Sequence, residues 1–131
     1  MSKRPLVRNA ASAKQVRHAE RKTKDRRQDE LIDLQAVLEH PVGRRVLWRF
    51  LTFCGVHQTV LRENPVAMAE AAGRQNVGHY LMAEIEAANS EALFTMMREA
   101  RDGEARDARE TAAVQTTSRQ ENPDDDDSSE A

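Results

Sequence analysis

A disulfide, a membrane span and a broad aromatic surface are all beyond this sequence. Its 131 residues hold one cysteine, one tryptophan, one tyrosine and three phenylalanines. The lone Cys54 excludes an intramolecular disulfide and a thiolate zinc cluster, and it suits a reducing compartment. No run approaches the roughly 20 continuous apolar residues of a transmembrane helix, and the basic start is not followed by the apolar stretch of a secretion signal. A soluble protein made in the cytoplasm is expected. Strand patterning is missing too, because no segment alternates apolar and polar residues with period two.

What is present is charge, unevenly spread. Residues 1–27 carry ten Lys or Arg against Glu20 and Asp25, a charge of +8, whereas residues 28–101 carry −3 and residues 102–131 carry −7. A net charge of −2 therefore hides a strong dipole along the chain, which bears on binding and solubility rather than on fold. Three parts follow: a basic N-terminal arm, helical in part, over 1–27; a helical core module over 28–101; and an acidic, mostly disordered tail over 102–131. The middle part is small enough that a lone domain is marginal, so partner contacts are expected to add to its stability.

The predicted fold is all-α, with about four helices. The first begins after Ser12, a good N-cap, and runs toward Leu38, where Pro41 ends it. Its first half bears Lys14, Arg17, Arg21 and Lys24 at helical spacing and projects. Its second half docks through Leu31, Leu34 and Leu38. The second helix, about Gly43 to Cys54, is apolar almost all round and calls for burial in the core or against another subunit, with Gly55 as its cap. Asn64-Pro65 starts the third helix, through Ala88, whose stripe is Val66, Ala69, Gly73, Val77, Leu81, Ile85 and Ala88. Gly73 in that stripe predicts close approach of another helix. The fourth helix carries Leu93, Phe94, Met96 and Met97. Beyond it Arg98/Asp102, Asp102/Arg106 and Arg106/Glu110 stand four apart, in a solvated helix or a disordered tail. From Gln115, through Pro123 and the Asp124 to Asp127 block, the composition predicts disorder.

No set of residues makes a convincing catalytic or metal site. His40, His57 and His79 form no H-x-x-x-H pair and sit at no ligand spacing with Cys54 or a carboxylate, so packing or surface roles are expected and no cofactor is predicted. Glu84, Glu86 and Glu91 lack an accompanying nucleophile or oxyanion donor. The glycine spacing of Gly73 to Gly78 resembles a phosphate loop only superficially, because His79-Tyr80 follow where Lys-Ser/Thr would be needed. Arg74, Gln75 and Asn76 are instead candidates to present polar groups to a partner. The Asp block lacks the glycine and terminal Glu of a calcium loop. The expectation is a protein that is not an enzyme.

The basic arm has two readings. Lys14, Arg17, Arg21, Lys24, Arg26 and Arg27 are candidates for nonspecific, salt-sensitive contact with nucleic acid phosphates; alternatively the arm lies against an acidic protein surface. It has no aromatic residue for base stacking. The acidic tail either folds back on this arm or serves solubility. Candidates for core and interface are Trp48, Phe50, Phe53, Tyr80 and Met97, with Arg44, Arg45 and Arg74 for polar anchoring.

Pro41-Val-Gly-Arg-Arg-Val-Leu-Trp48, Cys54-Gly55-Val56 and Ala72-Gly-Arg-Gln-Asn-Val-Gly78, followed by Leu81 and Glu84-Ile85, resemble the short Bbp19-like family of phage proteins, named for a Bordetella podovirus protein encoded among virion genes. The resemblance covers about residues 39–101 and reaches neither arm. It implies a structural or assembly protein of a tailed, short-tailed phage. On that reading the chain is a virion component that packs in a homo-oligomer or against portal, coat or internal virion proteins, near the portal or among the proteins ejected with the genome. Two alternatives stand beside it. One is a scaffolding factor absent from mature particles. The other is a free DNA-binding regulator, although the nine-residue polar link after the second helix is longer than the three or four residues usual for a helix-turn-helix.

Overall fold

A computed structural model describes residues 10–121, and all four of its elements are helices. They are α1 (Ala10–Glu39), α2 (Pro41–Cys54), α3 (Pro65–Ala88) and α4 (Ala92–Glu121). The all-α expectation therefore holds among the described residues. Helix boundaries follow local chemistry. Pro41 opens α2 rather than merely ending α1: His40 is extended at φ −95°, ψ 131°, as a residue before proline prefers, and a proline at the first helical position sacrifices no hydrogen bond. Gly55 closes α2 in the left-handed region, φ 68°, with its N–H donating to the Thr52 carbonyl at 3.0 Å. Asn64 caps α3, its side-chain oxygen accepting from the Val66 N–H at 2.8 Å.

Two expectations about the ends are corrected. Ser12 lies inside α1 instead of capping it, because Ala10, Ala11 and Ala13 favour helix on both sides of it. α4 continues to Glu121, so disorder from Gln115 is replaced by helix over that stretch; Pro123 and Asp124 to Asp127 lie outside the described residues. The expected charge pairs do not explain the extension, since none of Arg98/Asp102, Asp102/Arg106 and Arg106/Glu110 is among the ion pairs of the described residues. A better cause is propagation: the first turns of α4 are docked, so the costly nucleus already exists, and Ala105, Ala108, Ala112 and Ala113 extend it cheaply.

α2 and α3 pack on each other and on both long helices, while α1 and α4 barely meet. The core where they converge is small: Leu38, Leu51, Ile85, Ala92 and Met96, surrounded by half-buried Leu34, Leu47, Trp48, Leu81, Met82 and Leu93. The predicted stripe of α3 is corrected in its first half. Val66, Ala69, Gly73 and Val77 are exposed, and the inward side runs through Ala71, Gln75, Gly78, Met82 and Ile85. The glycine of close approach is accordingly Gly78: a Cβ there would collide with Val56 and come within 2.7 Å of the Cys54 Cβ, whereas one on Gly73 would meet nothing. Polar Gln75 disguised this side in the sequence. Its amide donates to the carbonyls of Gly55 (3.0 Å) and Gln58 (2.8 Å), so it faces inward to fasten the α2–α3 connection, not outward to a partner.

Candidate interaction surfaces

Helix geometry decides what each arm can present. A 30-residue helix is about 45 Å long at 1.5 Å per residue, longer than a core of five side chains can cover. Both long helices therefore overhang: residues 12–26 of α1 and 104–121 of α4 are exposed throughout. On the α1 overhang Lys14, Arg17, Arg21 and Lys24 form a ridge at steps of three and four, with Arg26 beside it, and none of these five is in an ion pair among the described residues.

Arg27 is the exception among the nucleic-acid candidates and marks where docking starts. Its guanidinium donates to both carboxylate oxygens of Glu84 at 2.6 and 2.7 Å, in the two-pronged geometry that makes such pairs strong, and also approaches Glu30 at 3.6 Å. Those hydrogen bonds hold the Glu84 carboxyl below its ordinary range against the opposing effect of desolvation, and the attraction of the nearby charge adds to them. Glu84 is thus a structural anchor.

A second clamp holds the other end of α1. Arg44 donates through Nε and Nη2 to Glu99 of α4, the shortest contact being 2.6 Å, and through Nη1 to the Leu38 and Glu39 carbonyls at 2.8 and 3.2 Å. Those carbonyls belong to the end of α1, where the helix has no backbone donors left, so one side chain caps α1 and ties it to α2 and α4. Hydrogen bonding from Arg44 likewise lowers the Glu99 pKa, with Arg45 adding a smaller attraction. Sequence reasoning chose Arg44 for polar anchoring but missed Glu99, which has no distinguishing neighbour in the chain.

The aromatic candidates separate into two groups. Trp48 is half-buried against the core, its ring 6.0 Å from that of His57. Phe50, Phe53, Tyr80 and Met97 are exposed, by 46%, 69%, 68% and 41%, so they are surface rather than core. Arg74 lies over the Phe53 ring at 5.1 Å and pairs with Glu70 at 2.9 Å; Arg45 and Asn76 are exposed. Trp48, Leu93, Phe94 and Met97 help line an open apolar cleft of about 260 Å³ among α2, α3 and α4. No helix among the described residues is long and apolar enough to cross a membrane, and no three of their His, Cys, Asp or Glu side chains converge as a metal site.

The model of the family described as Bbp19-like phage protein matches residues 34–99. The chain belongs to the Bbp19-like phage protein family. The matched span begins with Leu34 and ends with Glu99, so it takes in the whole core and the Arg44–Glu99 clamp. Both overhangs lie outside it. No curated protein and no solved structure matches the chain.

Proposed function

We propose that this phage protein is a non-enzymatic structural component of a short-tailed phage virion, packing in an oligomer or against portal or internal virion proteins. The observation that carries this reading is the division of labour along α1. Below Arg27 the helix is a free cationic ridge, and from Arg27 onward it is clamped to a small helical module. A module that fixes the position of an unneutralised basic helix suits a site beside packaged DNA, where phosphate contact releases counterions without reading sequence.

Mass spectrometry of purified virions beside immature particles tests it, with copy number measured against the portal. The expected outcome is retention in mature virions at a fixed ratio. Presence only in immature particles would replace this reading with that of a scaffold. DNA contact has its own test: a mobility shift that weakens as salt is raised and disappears when residues 1–26 are deleted, a change that keeps the Arg27 clamp.

A further inference from the structure

α2 leaves an apolar face without a partner. Val42, Val46, Phe50 and Phe53 follow one another at steps of four, four and three, which places them on one side of the helix, and they are 61%, 48%, 46% and 69% exposed. Four large apolar side chains in a row form a patch of the kind that marks an interaction surface. Its border is cationic. Arg45 and Arg49, four residues apart, are exposed along one flank, where they also line the cleft toward Asp102, Glu104 and Asp107 of α4; neither is in an ion pair among the described residues, and Arg74, paired with Glu70, covers Phe53. Two copies of this face pressed together would bring like charges into one interface, which disfavours a two-fold contact.

A complementary face lies on α1 of the same chain. Asp29 and Asp33 are exposed, four residues apart, and in no ion pair among the described residues; Ile32, 56% exposed, and Ala36 are exposed beside them. Two cations one helical turn apart on α2 match two anions one turn apart on α1, since four residues span about 6 Å in either helix. The apolar residues of each face stand next to its charges, so both kinds of contact can form together.

We propose that the Val42–Phe53 face of α2 docks on the Asp29–Ala36 face of α1 in a second copy of the chain, head to tail, with Arg45 and Arg49 meeting Asp29 and Asp33. The inference rests on the structural reading above and specifies its oligomer. Because the two faces differ, the contact is heterologous, and repetition closes a ring or extends a filament.

Sedimentation velocity over a concentration series at near-physiological salt tests the pairing. R45E/R49E and D29R/D33R should each weaken self-association by at least about tenfold, and the chain carrying all four substitutions should recover it, because the charges then face each other with signs exchanged. F50S should weaken it as well. Helical circular dichroism confirms that each variant is folded, and recovery in the fourfold variant excludes misfolding as the cause of the loss. Three results would overturn the pairing: a chain monomeric to about 1 mM, association indifferent to either reversal, or a fourfold variant no better than the doubles. Failure here leaves the virion reading standing, since the census of purified particles decides that separately.

Discussion

α1 and α4 are both 30 residues long and both dock only in part, yet their free halves differ in kind. The overhang of α1 is a ridge of cations broken only by Glu20 and Asp25, while that of α4 mixes Glu104, Asp107, Glu110 and Glu121 with Arg106, Arg109 and Arg119 among alanines and threonines. The first has a field of one sign and can attract an anionic partner at a distance; the second is close to balanced and has little to steer with. Each departs from the module at an Arg–carboxylate clamp, Arg27–Glu84 for α1 and Arg44–Glu99 for α4. Packing thus builds the module and sets where each helix becomes free, and composition sets what the free part can do.

The comparison breaks most completely if the module itself is lost. Ile85 is fully buried where all the core side chains meet. Ile85→Ala should cost about 2–5 kcal/mol, the range for truncating a buried isoleucine. For a core this small that is enough to unfold much of the population near physiological temperature, which urea denaturation followed by circular dichroism would measure.

The two glycines of α3 sharpen the boundary between buried and open surface. Gly78→Ala drives a methyl group into Cys54 and Val56, and the overpacking should cost about 1–3 kcal/mol. Gly73→Ala places the same methyl in open space on the same helix, so it should stabilise by up to about 1 kcal/mol through helix propensity alone. Opposite shifts in melting temperature are expected from two chemically identical changes five residues apart.

Much of this arrangement was legible from the sequence. Pro41, Gly55 and Asn64-Pro65 act through backbone geometry, which depends on near neighbours, so the ends of α1 and α2 and the start of α3 could be placed closely, whereas the role of Pro41 as the first residue of α2 was not seen. The inward side of α3 could not, because a polar Gln75 and a side-chain-free Gly78 carry it while valines and alanines face out. Hydrophobic periodicity finds a core only when apolar residues mark it. The clamps were hidden for a different reason: Arg27 and Glu84 are 57 positions apart and Arg44 and Glu99 are 55 apart, and no local pattern links residues at such separations. The same periodicity assigned Phe50, Phe53 and Tyr80 to core or interface without choosing, and only their exposure removes them from the core.

A smaller effect should appear at low pH. The arginines stay charged throughout, so titration of the clamps belongs to Glu84 and Glu99, whose pKa values are lowered in the folded state by hydrogen bonds from Arg27 and Arg44. A lowered folded value means that the stabilisation is complete above the ordinary carboxylate range and is lost as the pH falls through the folded values. Melting temperature should decline over that acid interval. Glu84→Gln should flatten the decline and free the α1 arm further along its length, read as faster amide exchange around Arg27. An unchanged acid profile in Glu84→Gln would mean that the clamp contributes nothing to docking.

The smallest effect on stability should come from removing the largest block of charge. Residues 12–26 touch none of the core, and their helix is held by its own backbone hydrogen bonds and by continuity with the docked half. Deleting residues 1–26 retains Arg27 and its clamp, so the stability of the module should change by no more than about 0.5 kcal/mol, as for surface changes away from packing. The same deletion removes nine of the ten Lys or Arg of residues 1–27 and keeps Arg27, so salt-dependent DNA retention should fall to background. If instead the melting temperature drops well below that of the intact chain, the arm packs on the module and is not a free ridge. Stability left intact and DNA retention lost would establish that one helix serves two separable purposes, with the division at Arg27.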